Sequence, residues 1–176
     1  MTRPTFEDFH AITDRVYTFA YALDHRDWTL MRSVFADRLS VNTAAVGHEG
    51  GAQGELTAEE MVWNVKLTET GFEGTQLLLG NPMVTVDGDD AECVVSFYGE
   101  HVALTVAGDP TYTIGGYQYW GLTRVTGSWL INRFRLEPLW TRGNRDVMNI
   151  GVRRGSQRLT EAGDPPPAGL AERHRY

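Results

Sequence analysis

The sequence predicts an α+β fold, with helices gathered early in the chain and packed on one face of a curved antiparallel sheet. Three observations predict it. An apolar stripe at helical spacing runs from Phe6 to Leu23 near the start of the chain. Four long β-type runs, roughly 74–86, 91–106, 111–126 and 128–140, follow one another with only short turn sequences between them. The helical segments precede these strands rather than alternating with them, which separates an α+β plan from a parallel α/β one.

The first helix is read from Phe6, Phe9, Ile12, Val16, Phe19, Ala20 and Leu23, which recur at steps of three and four and so share a face. Thr5 followed by Asp8 is an imperfect capping box at its start. Asp27 reads as the N-cap of a short second helix carrying Trp28, Leu30, Met31, Val34 and Phe35. A short strand is expected over Leu39–Ala45, then a glycine-rich loop from Val46 to Gly54. Thr57-Ala58-Glu59-Glu60 is a full capping box, opening a helix that runs to about Thr68. The turn sequences Asp87-Gly88-Asp89-Asp90, Ala107-Gly108-Asp109-Pro110 and Thr126-Gly127-Ser128 then join the four strands as antiparallel neighbours. Gly115-Gly116 within the third of these marks a bulge or bend. Residues 1–145 read as one domain. Residues 146–176 are a C-terminal extension or tail, with Pro165-Pro166-Pro167 and few large apolar side chains, able to lie over a pocket mouth or a neighbouring subunit.

Composition limits the function. With 176 residues, 41% of them hydrophobic, the chain can bury a sizeable core. A formal net charge of -7 argues against nucleic acid as a partner, and the basic cluster Arg142–Arg158 reads as a solvated face or subunit contact. No apolar run reaches the length of a membrane span, and the N-terminus lacks a signal-peptide layout. The single Cys93 rules out an internal disulfide and suits a reducing cytoplasm, where the protein is expected. Five scattered histidines and one cysteine offer no metal-ligand spacing, and there is neither a phosphate-binding glycine loop nor a serine elbow. Neither a cofactor nor a metal is expected, so any chemistry must be acid–base or electrostatic.

That chemistry points to carboxylate and imidazole. Asp24 lies at the border of the first helix's apolar stripe, where desolvation raises a carboxyl pKa and makes it a usable base near neutrality. A charge at that helix end opposes the dipole, which favours a functional reason for it over mere helix termination. His101 alternates with Cys93, Val95, Phe97 and Ala103 on the inward face of its strand, facing the helices, or else is a core histidine bonded to a carbonyl. Tyr17, Tyr21, Tyr98, Tyr117 and Tyr119 are candidate donors to a substrate carbonyl, or simply packing.

Three segments resemble a known family. Asp24-His-Arg-Asp27-Trp28 looks like an Asp-x-x-Asp-Trp signature. Thr75-Gln76-Leu77 is similar to a Thr-Gln-His strand. Gly115-Gly116-Tyr117, Trp129 and Trp140-x-x-Gly143 look like a long closing hairpin. Together, over about residues 5–145, they resemble the SnoaL-like branch of the nuclear transport factor 2-like superfamily, in particular its scytalone dehydratase type. The resemblance implies a cone-shaped sheet wrapped by N-terminal helices around an apolar pocket (a cystatin-like roll) and cofactor-free proton-transfer chemistry. It implies Asp24 and His101 as catalytic groups, with Tyr21, Trp28, Leu77, Tyr117 and Trp140 around the substrate. It also implies a homodimer or homotrimer. Leu77 stands where that family has its principal histidine, and Leu23 where it often has tyrosine. Two functions therefore stand: an acid/base dehydratase, isomerase or cyclase acting on a hydrophobic oxygenated molecule such as a polyketide, or a non-catalytic binder of small molecules.

Overall fold

The first helix, α1 (Phe6–His25), starts where the Thr5 hydroxyl accepts the Asp8 amide and ends where Arg26 turns left-handed, with φ 55°. That turn lets Asp27 begin α2 (Trp28–Ser33), its carboxylate accepting the Leu30 amide as the sequence implies. The computed structural model that shows this describes residues 2–44, 51–104 and 108–173. The strand expected at 39–45 begins earlier, as β1 (Phe35–Asn42), because α2 stops at Ser33 and Phe35 is already a buried strand residue. Part of the expected loop is β2 (Gln53–Thr57), an antiparallel partner of β1; residues 46–50 of that loop lie outside the described residues. The capping box on Thr57 and Glu60 opens α3 (Ala58–Glu69) with both reciprocal bonds present.

The four long strands are β3 (Gly74–Asp87), β4 (Asp90–Val102), β5 (Thr111–Val125) and β6 (Ser128–Gly143), an antiparallel meander. Thr126 (φ 46°) and Gly127 (φ 86°) are both left-handed, as a two-residue turn of type I′ requires. The curved sheet does not close, and its order is β2-β1-β6-β5-β4-β3. Contrary to a wholly antiparallel plan, β1 runs parallel to β6. The long chain between these strands, with β2, α3 and three strands of the meander in it, permits this, since only short loops enforce antiparallel pairing. A register shift separates Gly115 from Gly116, at the bend read from the glycine pair. A Cβ on Gly115 would stand 2.2 Å from the Trp140 ring, so that indole lies flat against bare backbone.

The main core gathers the inner face of α1 (Ile12, Val16, Phe19, Leu23) against Trp120, Leu122 and Ile131 of the sheet. The extension after residue 145 is built onto the domain. Its helix α4 (Asp146–Glu161) buries Val147, Met148, Val152 and Leu159, and a short α5 (Ala168–Arg173) follows. The basic cluster is partly structural. Arg154 and Arg158 pair with Glu73 and donate to the Leu104 and Thr70 carbonyls, tying α4 to the chain after α3 and to the end of β4.

The α3–α4 contact leaves no room for side chains. A Cβ on Gly155 would stand 1.7 Å from the Leu67 carbonyl oxygen, and one on Gly71 would stand 1.8 Å from the Gly151 carbonyl oxygen. Backbone cannot yield as a side-chain tip can. Gly155→Ala is therefore expected to cost about 1–3 kcal/mol despite alanine's better helix propensity. Urea unfolding should show the loss, and an unchanged midpoint would mean that α4 docks differently.

Candidate functional site

Between the helices and the concave face of the sheet lies a cavity of about 130 Å³. Its walls are mostly apolar, with Phe19, Met61, Phe97, Phe134 and Met148 among them. The polar groups that reach it come from four elements and the end of β1: Asn64, Thr68 and Glu69 of α3, Thr75 and Gln76 of β3, Glu100 and His101 of β4, Gln118 of β5, and Thr43 just after β1.

Of the groups expected at the site, His101 and Leu77 line this cavity. His101 sits at the penultimate residue of β4 rather than in mid-strand, because pairing ends at Val102. Its Nδ1 is 3.3 Å from the Tyr112 carbonyl oxygen, and Phe72 packs on the ring at 5.1 Å between centroids. A carbonyl can only accept, so Nδ1 carries a proton, and Nε2 is the ring atom able to exchange one.

Asp24 departs from expectation. Leu23 lines the cavity and Asp24 does not, because one helical step turns position 24 off that face. Its two carboxylate oxygens instead lie 3.0 and 3.1 Å from the Leu77 amide nitrogen, which donates to them. Because β3 is an edge strand, its outward amides lack a strand partner, and Asp24 supplies one. Half-burial raises the Asp24 pKa, while the Leu77 amide and the nearby His25 oppose the rise.

The aromatic residues expected around the substrate lie elsewhere. Tyr21 is 57% exposed and stacks on His25. Trp28 lines a separate surface cleft with Arg32, Trp63 and Pro165. Tyr117 and Trp140 are on the outer face of the sheet, Trp140 46% exposed and beside Tyr98. Strand alternation explains Tyr117, since its neighbours Gln118 and Trp120 point inward.

Two carboxyl groups reach the cavity: Glu100, whose Oε2 accepts from the Tyr98 and Thr113 hydroxyls, and Glu69, at the last residue of α3. Only 6% of Glu69 is exposed, and its Oε2 has no hydrogen-bond partner. Burial pushes its pKa up to about 8; the Arg26 cation lowers it, the Asp24 charge raises it and the Thr75 hydroxyl bond lowers it. Arg26 is held by its own bonds to the Glu69 and Phe72 carbonyls. At neutral pH Glu69 is thus a neutral acid able to donate a proton. The sequence held a signal for it: Met61, Val65, Thr68, Glu69 and Phe72 follow helical spacing, so Glu69 interrupts an apolar face. Among the described residues, no three His, Cys, Asp or Glu side chains form a group that could hold a metal. No described helix is long and apolar enough to cross a membrane.

Helices packed on the concave face of an open, curved sheet, with an apolar pocket between them, define a class of α+β roll. Within it the family is specific: residues 4–135 match the SnoaL-like domain, and the chain belongs to that family. Solved structures agree on the fold. The Kfla4162 protein of Kribbella flavida superposes with a TM-score of 0.73 at 18% identity, over 81% of this chain and 97% of that one. A Novosphingobium aromaticivorans protein named, provisionally, for scytalone dehydratase gives 0.64 at 20% identity, covering 78% and 87%. The type 3 hexachlorocyclohexane dehydrochlorinase of Novosphingobium barchaimii gives 0.63 at 15% identity, covering 78% and 90%. At such identities the likeness concerns fold alone. No curated protein matches the sequence.

The raised Glu69 pKa fixes the sign of a stability effect. The folded protein holds this proton up to about pH 8, whereas the unfolded chain releases it near the ordinary value of 4.5. The stabilisation is complete below 4.5 and is lost as pH rises through 8. Glu69→Gln keeps the shape without the titration. The wild-type protein, compared with this variant, should therefore lose a few kcal/mol (about 2–5) between pH 5 and pH 9 in urea unfolding. A constant difference would mean that Glu69 is ionised throughout.

Proposed function

We propose that the protein is a cofactor-independent proton-transfer enzyme, a dehydratase, isomerase or cyclase, acting on an apolar oxygenated molecule of the polyketide kind. The observation that carries this is the pairing, on one cavity, of a buried neutral carboxylic acid, Glu69, with the imidazole of His101. The family supports the same class of reaction, and the reducing cytoplasm is where we place it.

In an elimination, His101 Nε2 takes a proton from the carbon beside a carbonyl. The electron pair of that C–H bond becomes the new double bond, and the C–O bond breaks on the neighbouring carbon. Glu69 delivers its proton to the departing hydroxyl, which leaves as water. His101 then carries the extra proton and Glu69 the negative charge, and a proton passing between them restores both. In an isomerisation, Glu69 instead holds the carbonyl oxygen while the same carbon acid is deprotonated and reprotonated elsewhere. Apolar walls strengthen both interactions by excluding water. Asp24 acts through Glu69 as a positioning residue: its charge favours the protonated acid, and its grip on the Leu77 amide sets the wall next to it.

A panel of alicyclic hydroxyketones, followed by mass spectrometry for loss of water and by NMR for isomerised product, tests the proposal. Glu69→Gln and His101→Asn are each expected to lower kcat by about 10²–10⁴-fold. Wild-type turnover in both variants would remove the mechanism. Activity should fall as pH rises through about 8, where Glu69 loses its proton. Asp24→Asn should move that falling limb to lower pH and leave the fold intact, since it removes a charge that holds the proton on Glu69.

One observation favours the non-catalytic reading. Asp24 is committed to the Leu77 amide, and Leu77 offers no proton where the resembling family has histidine. Saturable binding of the same ketones with no turnover in any of them would support a binder.

We also propose that copies of the chain associate through the outer face of the sheet, where Tyr98, Tyr117, Leu139 and Trp140 are exposed. Sedimentation should give a dimer or trimer at micromolar concentration, and a monomer there would overturn this.

A further inference from the structure

Gln118 is the least expected residue in the cavity wall. It lies mid-way along β5, opposite Val95 on one side and Leu136 on the other, on the face that carries Trp120 and Ile114. It is 2% exposed, lines the cavity, and its Oε1 has no hydrogen-bond partner. A fully buried amide oxygen without a partner is costly, and most such groups in folded proteins are satisfied. An aliphatic side chain would pack there at no such cost, so stability alone does not account for the glutamine.

The position of Gln118 separates it from the proton-transfer groups. His101 pairs with Tyr112, and Gln118 follows six residues along the same strand. A straight strand would put those positions roughly 20 Å apart, and the bulge between Gly115 and Gly116 bends them closer. The strands around them contribute apolar side chains to the same wall, Phe97, Ile114, Phe134 and Leu136. Along β5, therefore, the Gln118 amide stands apart from His101, while Thr43, Asn64, Thr68, Gln76 and Glu100 add further polar groups to the lining.

We propose that Gln118 is a specificity-determining residue that hydrogen-bonds a hydroxyl group at the end of the ligand remote from His101. The ligand is then an elongated, ring-containing molecule with a carbonyl at the reacting end and a hydroxyl at the far end. A hydroxyl both donates and accepts, so it satisfies the amide in either orientation of its oxygen and nitrogen. This rests on the cavity being the ligand site, as proposed above, and adds which functional group is read at its far end.

A matched pair of probes tests it: 4-(4-hydroxyphenyl)cyclohexanone and 4-phenylcyclohexanone, which differ only in the remote hydroxyl. By calorimetry, wild-type protein should bind the hydroxylated ketone about ten-fold or more tightly than its deoxy partner. Gln118→Met keeps the length of the side chain and removes the amide. It should abolish that preference, bind the deoxy ketone at least as well as wild type, and raise the melting temperature of the empty protein by about a few degrees. Glu69→Gln should leave the preference unchanged. Equal binding of both ketones by wild type, or a preference that survives Gln118→Met, overturns the role of Gln118 while leaving the cavity as the ligand site. Binding of neither ketone by wild type overturns the ketone cavity and, with it, both readings. A melting temperature lowered by Gln118→Met would show that the amide serves the fold, and would overturn the proposal.

Discussion

The link between the end of α1 and the edge of the sheet is the contact on which the cavity depends. Asp24 receives the Leu77 amide at the point where the helix stops and Arg26 turns the chain. A neutral donor meeting a charged acceptor makes a stronger bond than two neutral groups would. It holds β3 against α1 while Leu77 and Leu23 face inward on either side of the seam. Arg26 closes the same corner by donating to the carbonyls of Glu69, the last residue of α3, and Phe72, so the ends of α1 and α3 and the edge of β3 meet there. The carboxyl of Glu69 is left inside that corner, dry enough to keep its proton.

This arrangement sets two carboxyl groups to different tasks by environment alone. Asp24, half-buried and bonded to an amide, does structural and electrostatic work; Glu69, buried with one oxygen unpartnered, is the group able to give up a proton. Neither position follows from residue type. Both carboxylates end a helix, and what distinguishes them is which way the last step of that helix turns the side chain.

Local chemistry made much of the fold legible. The Thr57–Glu60 capping box, the Asp27 cap and the turns at 87–90 and 126–128 each act within a few positions, and each appears where the sequence puts it, while residues 105–107, at the start of the remaining expected turn, lie outside the described residues. What the sequence hid is non-local. Nothing near β1 announces a parallel partner ninety-odd residues on, and the glycines of α4 look like weak helix formers until Leu67 and Gly71 are set against them. At the site, the inward direction of His101 was readable from alternation, and the same rule applied to β5 turns Tyr117 outward and Gln118 inward. Asp24 was misplaced because sequence shows the border of a stripe but not the open amide on a distant strand that claims the carboxylate.

The two ends of the open sheet are also its most exposed hydrogen-bonding surfaces, and both are closed to strangers. On β3, Asp24 occupies the Leu77 amide, Thr2 exchanges bonds with Val86, and between them Asn81 (φ 52°) and Pro82 break the register. On the far side β2 is only five residues long and carries Gly54 at φ 115°. Among the described residues, an extended peptide seeking to lengthen this sheet meets these bonds and the register break on β3, and only a short strand on β2. The molecule can thus keep a sheet open wide enough to hold a pocket without becoming a template for fibrous growth.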